Sequence, residues 1–259
     1  MPNLPQWDMP LDGEIIELQR LIRDASRIAI FTGAGISTES GIPDFRSPGG
    51  IWTRQAPIDF GAFMASEAAR REAWRRRFAI DPTLRQAKPN RGHRAVAELV
   101  RRGKASAVIT QNIDGLHQAS GLADEQVIEL HGNSTYARCL DCGKRYEIEA
   151  LRHAFKQDET APCCEGCGGI VKTATISFGQ PMPEEAMRRA EAETRAAELF
   201  IVLGSSLVVY PAAGFPELAK RGGGRLAIIN REATPLDALA DLVLNSAIGH
   251  ALGTAVGVE

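Results

Sequence analysis

The chain has 259 residues, a formal net charge of −2, 44% hydrophobic and 24% charged residues. That is enough apolar chain for a sizeable core, as one large domain or one domain carrying an insertion. The near-neutral balance gives no electrostatic footprint for nucleic acid, and no apolar run approaches the length needed to span a bilayer.

Taken in order, residues 1–12 read as a loose arm without the charged-then-apolar pattern of a leader. Ile15, Leu18, Leu21, Ile22 and Ala25 then recur at helical spacing across residues 14–26. The run Ile28–Thr32 is short, β-branched and aromatic, as in a fully buried strand. Gly33 and Gly35 break it, and Ser37, Thr38 and Ser40 suit the start of a helix. A strand that breaks at Gly-x-Gly and reopens as a helix aims backbone N–H groups at one point. The missing Cβ at each glycine is then expected to let a phosphate approach the backbone. The pattern reads as the pyrophosphate cradle of a dinucleotide, with two departures. Thr38 stands where a third glycine belongs, and no acidic ribose partner lies near Thr53.

Gly41 to Arg46 follows as a polar loop holding Asp44, Phe45 and Arg46. Residues 47–50 form a further loop, and Ile51 and Trp52 make an apolar cover. Residues 60–78 read as helical. The arginines within it, at 70, 71, 75, 76 and 77, fit a solvated face better than a docking site for an acidic partner. Residues 88–93 introduce a helix over 94–102, with His93 as a capping or packing residue.

Further buried strands are predicted at 105–110, 127–130, Leu199–Leu203, Arg225–Ile229 and 241–244. Most end in small or amide-bearing polar residues: Gln111-Asn-Ile-Asp114, His131-Gly-Asn133, Gly204-Ser-Ser206, Asn230 and Asn245-Ser246. Strands alternating with helices imply a doubly wound parallel α/β sheet. In such sheets the ligand sits outside the carboxyl ends of the strands, which gathers these polar residues around one site.

Between His131 and a strand predicted at 175–178 lie Cys139-Leu-Asp-Cys142, then residues 143–163, then Cys164-Glu-Gly-Cys167. Two C-x-x-C pairs at this separation make a tetrahedral tetrathiolate zinc site, with Gly143 and Gly168 relaxing each knuckle. Cys139, Cys142, Cys164 and Cys167 leave no open coordination position, so the metal is structural. Cys163 is the spare thiol. With no leader pattern the cytoplasm is the expected location, and in that reducing setting five cysteines argue for metal or thiol chemistry over a disulfide framework.

Over residues 20–250 these motifs, in this order, resemble the sirtuins, the NAD-dependent protein lysine deacylases. The resemblance rests on Gly33-Ala-Gly-Ile-Ser37 through Pro43-Asp-Phe-Arg46, Gln111-Asn-Ile-Asp114 and Glu129-Leu-His-Gly132. The four cysteines, Phe178-Gly179, Gly204-Ser-Ser-Leu207 and Ile229-Asn230 complete it. It implies a Rossmann-like NAD-binding domain made of residues 13–50, 94–135 and 172–259. A helical insertion at 51–93 and a zinc-binding module at 136–171 would pack beside it.

The resemblance also implies roles. Gly33, Ala34, Gly35, Asp44, Phe45 and Arg46 would shape the pyrophosphate and nicotinamide-ribose pocket. Gln111, Asn112, Ile113 and Asp114 would hold the ribose and the nicotinamide amide. Gly204, Ser205, Ser206, Asn230 and Ile248 would serve the adenosine half. His131 would be the general base, with Asn112 and Asp114 beside the developing sugar cation. An acyl-lysine peptide would pair its backbone with Gly179-Gln-Pro and Leu207-Val-Val-Tyr210, touching Ile176, Phe178, Gly179, Leu207 and Val208. The implied products are nicotinamide and 2′-O-acetyl-ADP-ribose, with ADP-ribosyl transfer to protein as the alternative use of the same site. Lys172-Thr-Ala-Thr-Ile-Ser-Phe-Gly-Gln180 departs from the usual Arg-Pro-x-Val-Val-x-Phe-Gly-Glu. Residues 73–78 lack the tyrosine of the succinyl-removing members, so weak desuccinylation is expected.

Overall fold

The computed structural model describes residues 12–47 and 50–259. The arm expected at 1–12 and the middle of the loop at 47–50 lie outside the described residues, apart from their edges. In chain order the strands are β1 (Ile28–Thr32), β2 (Val108–Thr110), β3 (Val127–Glu129), β4 (Gly132–Cys139), β5 (Arg145–Glu147), β6 (Val171–Thr175), β7 (Leu199–Leu203), β8 (Arg225–Ile229) and β9 (Leu242–Leu244). The α-helices are α1 (Asp12–Asp24), α2 (Ile51–Arg54), α3 (Phe60–Ala65), α4 (Glu67–Gln86), α5 (Arg91–Arg101), α6 (Leu116–Ala119), α7 (Ile148–Asp158), α8 (Glu184–Ala196), α9 (Phe215–Arg221) and α10 (Ile248–Val256).

Six strands form one parallel sheet in the order β3-β2-β1-β7-β8-β9. β1 and β7 are buried at every position, which is why they read as continuous apolar runs instead of alternating ones. Leu18, Leu21, Val96, Leu99, Ala251 and Leu252 of α1, α5 and α10 cover one face. Ala190, Phe215 and Ala219 of α8 and α9 cover the other. Strand order reverses between β1 and β7, so the carboxyl ends of these two strands mark the switch point where such sheets bind ligands. Their register pairs Thr32 with Leu203 and brings Gly33 level with Gly204.

A second sheet, antiparallel in the order β5-β4-β6, packs beside the first. The strand expected at 175–178 is instead Val171–Thr175, paired with β4. The chain leaves this sheet at Ile176, whose N–H donates to the carbonyl of His131 (2.8 Å) and turns the next residues toward the main sheet. A buried cluster of Trp74, Ala137, Ile148, Leu151, Phe155 and Val171 joins α4 and α7 to this sheet.

The helix expected at 60–78 is two. Asp59 caps α3 by accepting from Ala62 N, and Ser66 ends α3 and caps α4 by accepting from Ala69 N. The arginines of α4 are all partnered. Arg71 pairs with Glu67, Arg75 with Glu72 and Glu159, and Arg76 with Glu72. Arg77 is the exception to a solvated face: it pairs with buried Asp81 and donates to Ser134 O, tying α4 to β4. α5 begins at Arg91 because Asn90 and His93 form a reciprocal capping box, and His93 is fully buried there.

Candidate active site

A cleft of about 670 Å³ opens over the carboxyl ends of β1 and β7. Its size lies within the roughly 300–1,000 Å³ typical of small-molecule sites. Of the residues singled out for NAD, Gly33, Ala34, Gly35, Asp44, Phe45, Arg46, Gln111, Asn112, Ile113, Gly204, Ser205, Ser206, Asn230 and Ile248 line it. His131, Ile176, Phe178 and Gly179 line it too, whereas Asp114, Leu207 and Val208 do not.

After β1 the chain enters a 3-10 helix, Ala34–Ser40, instead of an α-helix. Gly33 and Gly35 line the cleft and also meet the loop after β7. A Cβ on Gly33 would sit 2.6 Å from Gly204 O, and one on Gly35 would sit 2.7 Å from Gly204 Cα. Gly35 N–H donates to Gly204 O (2.8 Å), and Gly204 itself needs φ +66°. These glycines let the β1 and β7 loops pack backbone to backbone at the switch point.

His131 follows β3 with its side chain partly buried. Its Nδ1 lies 3.1 Å from Gln111 O, and a carbonyl can only accept, so the proton of the neutral ring is on Nδ1. Nε2 is thereby left with a free lone pair. Burial lowers the pKa of His131, helped by the Arg46 charge and opposed by the bond to Gln111. Gln111 also donates through Nε2 to Ser205 Oγ (2.8 Å), linking the β2 and β7 loops across the cleft.

Below these groups runs a buried polar network. Asn112 Nδ2 donates to Ser37 Oγ (3.2 Å), and Ser37 Oγ donates to Asp114 (2.7 Å). The other Asp114 oxygen accepts Leu116 N–H (2.9 Å), and burial pushes this carboxyl above the usual carboxylate range. Asp114 is therefore joined to the cleft through Ser37 and Asn112. Ser37 carries this link although its sequence context suggested only helix initiation. Glu129, part of a motif that carries the resemblance but given no role there, is a second such residue. Gln118 and Asn133 both donate to its Oε1 (2.8 and 2.7 Å), fixing the loop on either side of His131.

The outer wall is aromatic. Trp52 packs against Phe45 and Phe178, with ring centroids 4.9 and 5.3 Å apart, and the Arg46 guanidinium lies 4.3 Å from the Trp52 centroid. Phe60 N–H donates to Phe178 O (2.8 Å), so the helical segment and the β6 exit close on each other. Phe178, Val208 and Tyr210 are exposed, while the Leu207 side chain is in the core, leaving Leu207 only its backbone to offer.

The sulfurs of Cys139, Cys142, Cys164 and Cys167 all lie within 4.8 Å of one another. The Cys139–Cys167 and Cys142–Cys164 separations are 3.5 and 3.6 Å. A zinc ion with about 2.3 Å bonds to four sulfurs sets tetrahedral edges of roughly 3.8 Å, so the set fits that metal. Gly143 and Gly168 take φ of +75° and +74°, and their N–H groups return to Cys139 O and Cys164 O. Cys163 is exposed and outside the cluster.

A reversed parallel sheet with a glycine-packed switch point, a lone-pair histidine over it and a tetrathiolate module beside it defines a nucleotide-binding α/β protein of the doubly wound class. The sequence profile of the Sir2 family matches residues 33–211, and the chain belongs to that family. It is 63% identical over 247 residues to the NAD-dependent protein deacetylase 1 of Bradyrhizobium diazoefficiens, covering 95% of this chain and 97% of the relative. A solved Sir2 with p53 peptide and NAD+ is 38% identical with a TM-score of 0.84, covering 96% of this chain and 98% of that one. A histidine-to-alanine Sir2 variant with deacetylated p53 peptide and 3′-O-acetyl ADP ribose is 38% identical with a TM-score of 0.85. It covers 94% of this chain and 97% of that one.

Proposed function

We propose that this chain removes acetyl groups from the lysine side chains of proteins, consuming NAD and giving nicotinamide and O-acetyl-ADP-ribose. The observation that carries the reading is 63% identity, over nearly the whole of both chains, to an NAD-dependent protein deacetylase. NAD supplies an activated ribose, which accepts the acyl oxygen as nicotinamide leaves. Everything else is asked of the protein.

Gln111 and Asn112, fixed to Ser205 and Ser37, orient the ribose and nicotinamide. Ser37 spreads the Asp114 charge toward Asn112, so negative potential meets the sugar as it becomes cationic. His131 Nε2 takes the proton from a ribose hydroxyl, and its depressed pKa keeps that nitrogen bare at neutral pH. Phe45, Trp52 and Phe178 keep water from the reacting centre. The peptide runs extended between Gly179-Gln-Pro and Leu207-Val-Val-Tyr210, with Ile176 beside the acyl chain and Phe178 and Val208 at the mouth.

Cys139, Cys142, Cys164 and Cys167 hold zinc, which fixes the small sheet and takes no part in the chemistry. We assign 13–50, 94–135 and 172–259 to NAD binding, 51–93 to a helical insertion and 136–171 to the zinc module. Thiols that converge as metal ligands instead of disulfides support a cytoplasmic location. Mass spectrometry of an acetyl-lysine peptide incubated with the protein and NAD tests the reading. Loss of acetyl with matching nicotinamide and O-acetyl-ADP-ribose supports it, whereas ADP-ribose attached to protein with the acetyl retained would replace it by transferase activity.

A further inference from the structure

Two histidines outside the cleft are buried deeper than His131. His93 of α5 and His117 of α6 are 0% and 1% exposed, and their ring centroids lie 5.1 Å apart. Each has one ring nitrogen, His93 Nε2 and His117 Nδ1, with no protein hydrogen-bond partner. Such groups are uncommon in a core and ask for an explanation.

The neighbouring bonds fix the protons of both rings. His93 Nδ1 accepts Asn90 N–H (3.4 Å), so the neutral ring carries its proton on Nε2. Thr32 spends its hydroxyl proton on Thr110 Oγ1 (2.7 Å). Thr32 Oγ1 can therefore only accept from His117 Nε2, 2.9 Å away, which leaves His117 Nδ1 bare. The two unpartnered nitrogens are thus one donor and one acceptor, although they do not bond to each other. Beyond them the chain of bonds runs His117 Nε2–H to Thr32 to Thr110, and Thr110 Oγ1 accepts the backbone N–H of Asn112 (3.0 Å). Asn112 is the residue whose side chain lines the cleft and reaches Ser37.

We propose that His117, set in its tautomer by Thr32, is a positioning residue that holds Asn112 in its reactive place through the Thr32–Thr110 hydroxyl relay. This rests on the reading of Asn112 as an NAD-orienting group. Both rings stay neutral, and the relay stiffens the strand ends of β1 and β2 where ordinary apolar packing would fix only their spacing.

The relay is tested first in the wild-type protein by nitrogen-15 NMR of its histidines. The expected result is the Nε2–H tautomer for His93 and His117 and the Nδ1–H tautomer for His131. An Nδ1–H form of His117 overturns the relay whatever the enzyme does. Kinetics then test its purpose. Thr110→Val keeps the side-chain shape but removes the hydroxyl, and is expected to lower kcat at least tenfold with KM for NAD within about twofold. Thr110→Ser restores the hydroxyl and is expected to restore kcat. Adding His117→Leu to Thr110→Val is expected to cost little more than either change alone, since both break one chain of bonds. Wild-type kcat in Thr110→Val, equal loss in Thr110→Ser, or losses that multiply in the double variant would each overturn the positioning role. Absence of deacetylation in the wild type, with the tautomers as expected, would instead strike the functional reading.

Discussion

The parallel sheet and the zinc module solve the same folding problem at different scales. The sheet strands are sandwiched between two large apolar clusters, so their carboxyl ends are free to carry polar groups in functional arrangements. The module has one small cluster, which includes Cys139 and Cys164 themselves. A core that small is completed by metal ligation, and binding free energy there is folding free energy. Four of its most distinctive residues are therefore committed to holding shape. In the sheet, function uses residues that the core does not need.

Removing the metal is the strongest way to break this contrast. A chelator is expected to abolish amide-exchange protection in β4, β5 and β6 while β1 and β7 stay protected. Activity should fall with the module, because Ile176 N–H is bound to His131 O at the exit from β6. Uniform loss of protection across both sheets would show that the two regions do not fold separately. Trp74→Ala acts on the same module through its apolar side. Trp74 is 2% exposed and its Nε1 donates to Val171 O (3.3 Å). Its truncation should destabilise the chain by about 3–5 kcal/mol in urea titration, with the zinc content of the folded protein retained.

The main sheet has its own sensitivity, to acid. Burial pulls the pKa of His93 down to about 4 and of His117 to about 3, from 6.5 in the unfolded chain. Their neutral forms favour the fold, so this stability is present above about pH 6.5 and drains away as pH falls toward about 3. The urea midpoint should drop over that window, and drop less steeply in His117→Gln, where the group that titrates is gone. Parallel slopes in the two proteins would contradict the assignment. The smallest effect is expected at Cys163, exposed and outside the sulfur cluster. Cys163→Ser should leave zinc content unchanged and stability within about 0.5 kcal/mol.

Much of this organisation is legible in the sequence. β1, β7 and, after its exposed Arg225, β8 are apolar runs because both faces of the sheet are covered, and their limits match the prediction. The four cysteines are legible because metal geometry dictates their spacing. β6 is misplaced because its residues, Val171–Thr175, mix Lys and Thr with Val and Ala, while the more apolar Ile176 to Phe178 leave the sheet for the cleft. The backbone contact made by Gly33 and Gly35 is hidden for a different reason. It depends on Gly204, 169 residues or more along the chain, and no local pattern announces a long-range backbone contact. The same is true of Ser37, whose partners Asn112 and Asp114 come from another strand end, and of Trp52, whose ring meets Phe178 only in the fold.

The central claim is that the cleft at the switch point is catalytic through the bare Nε2 of His131. Deacetylation of an acetyl-lysine peptide by His131→Ala, beside the wild type and with NAD binding measured in both, tests it most directly. The account predicts that the variant binds NAD and keeps its fold while O-acetyl-ADP-ribose formation falls by about 10²–10⁴-fold. In the wild type, kcat/KM should rise with pH to a plateau whose midpoint lies below 6.5, in line with the lowered His131 pKa. A variant that forms product within twofold of the wild-type rate would contradict the claim.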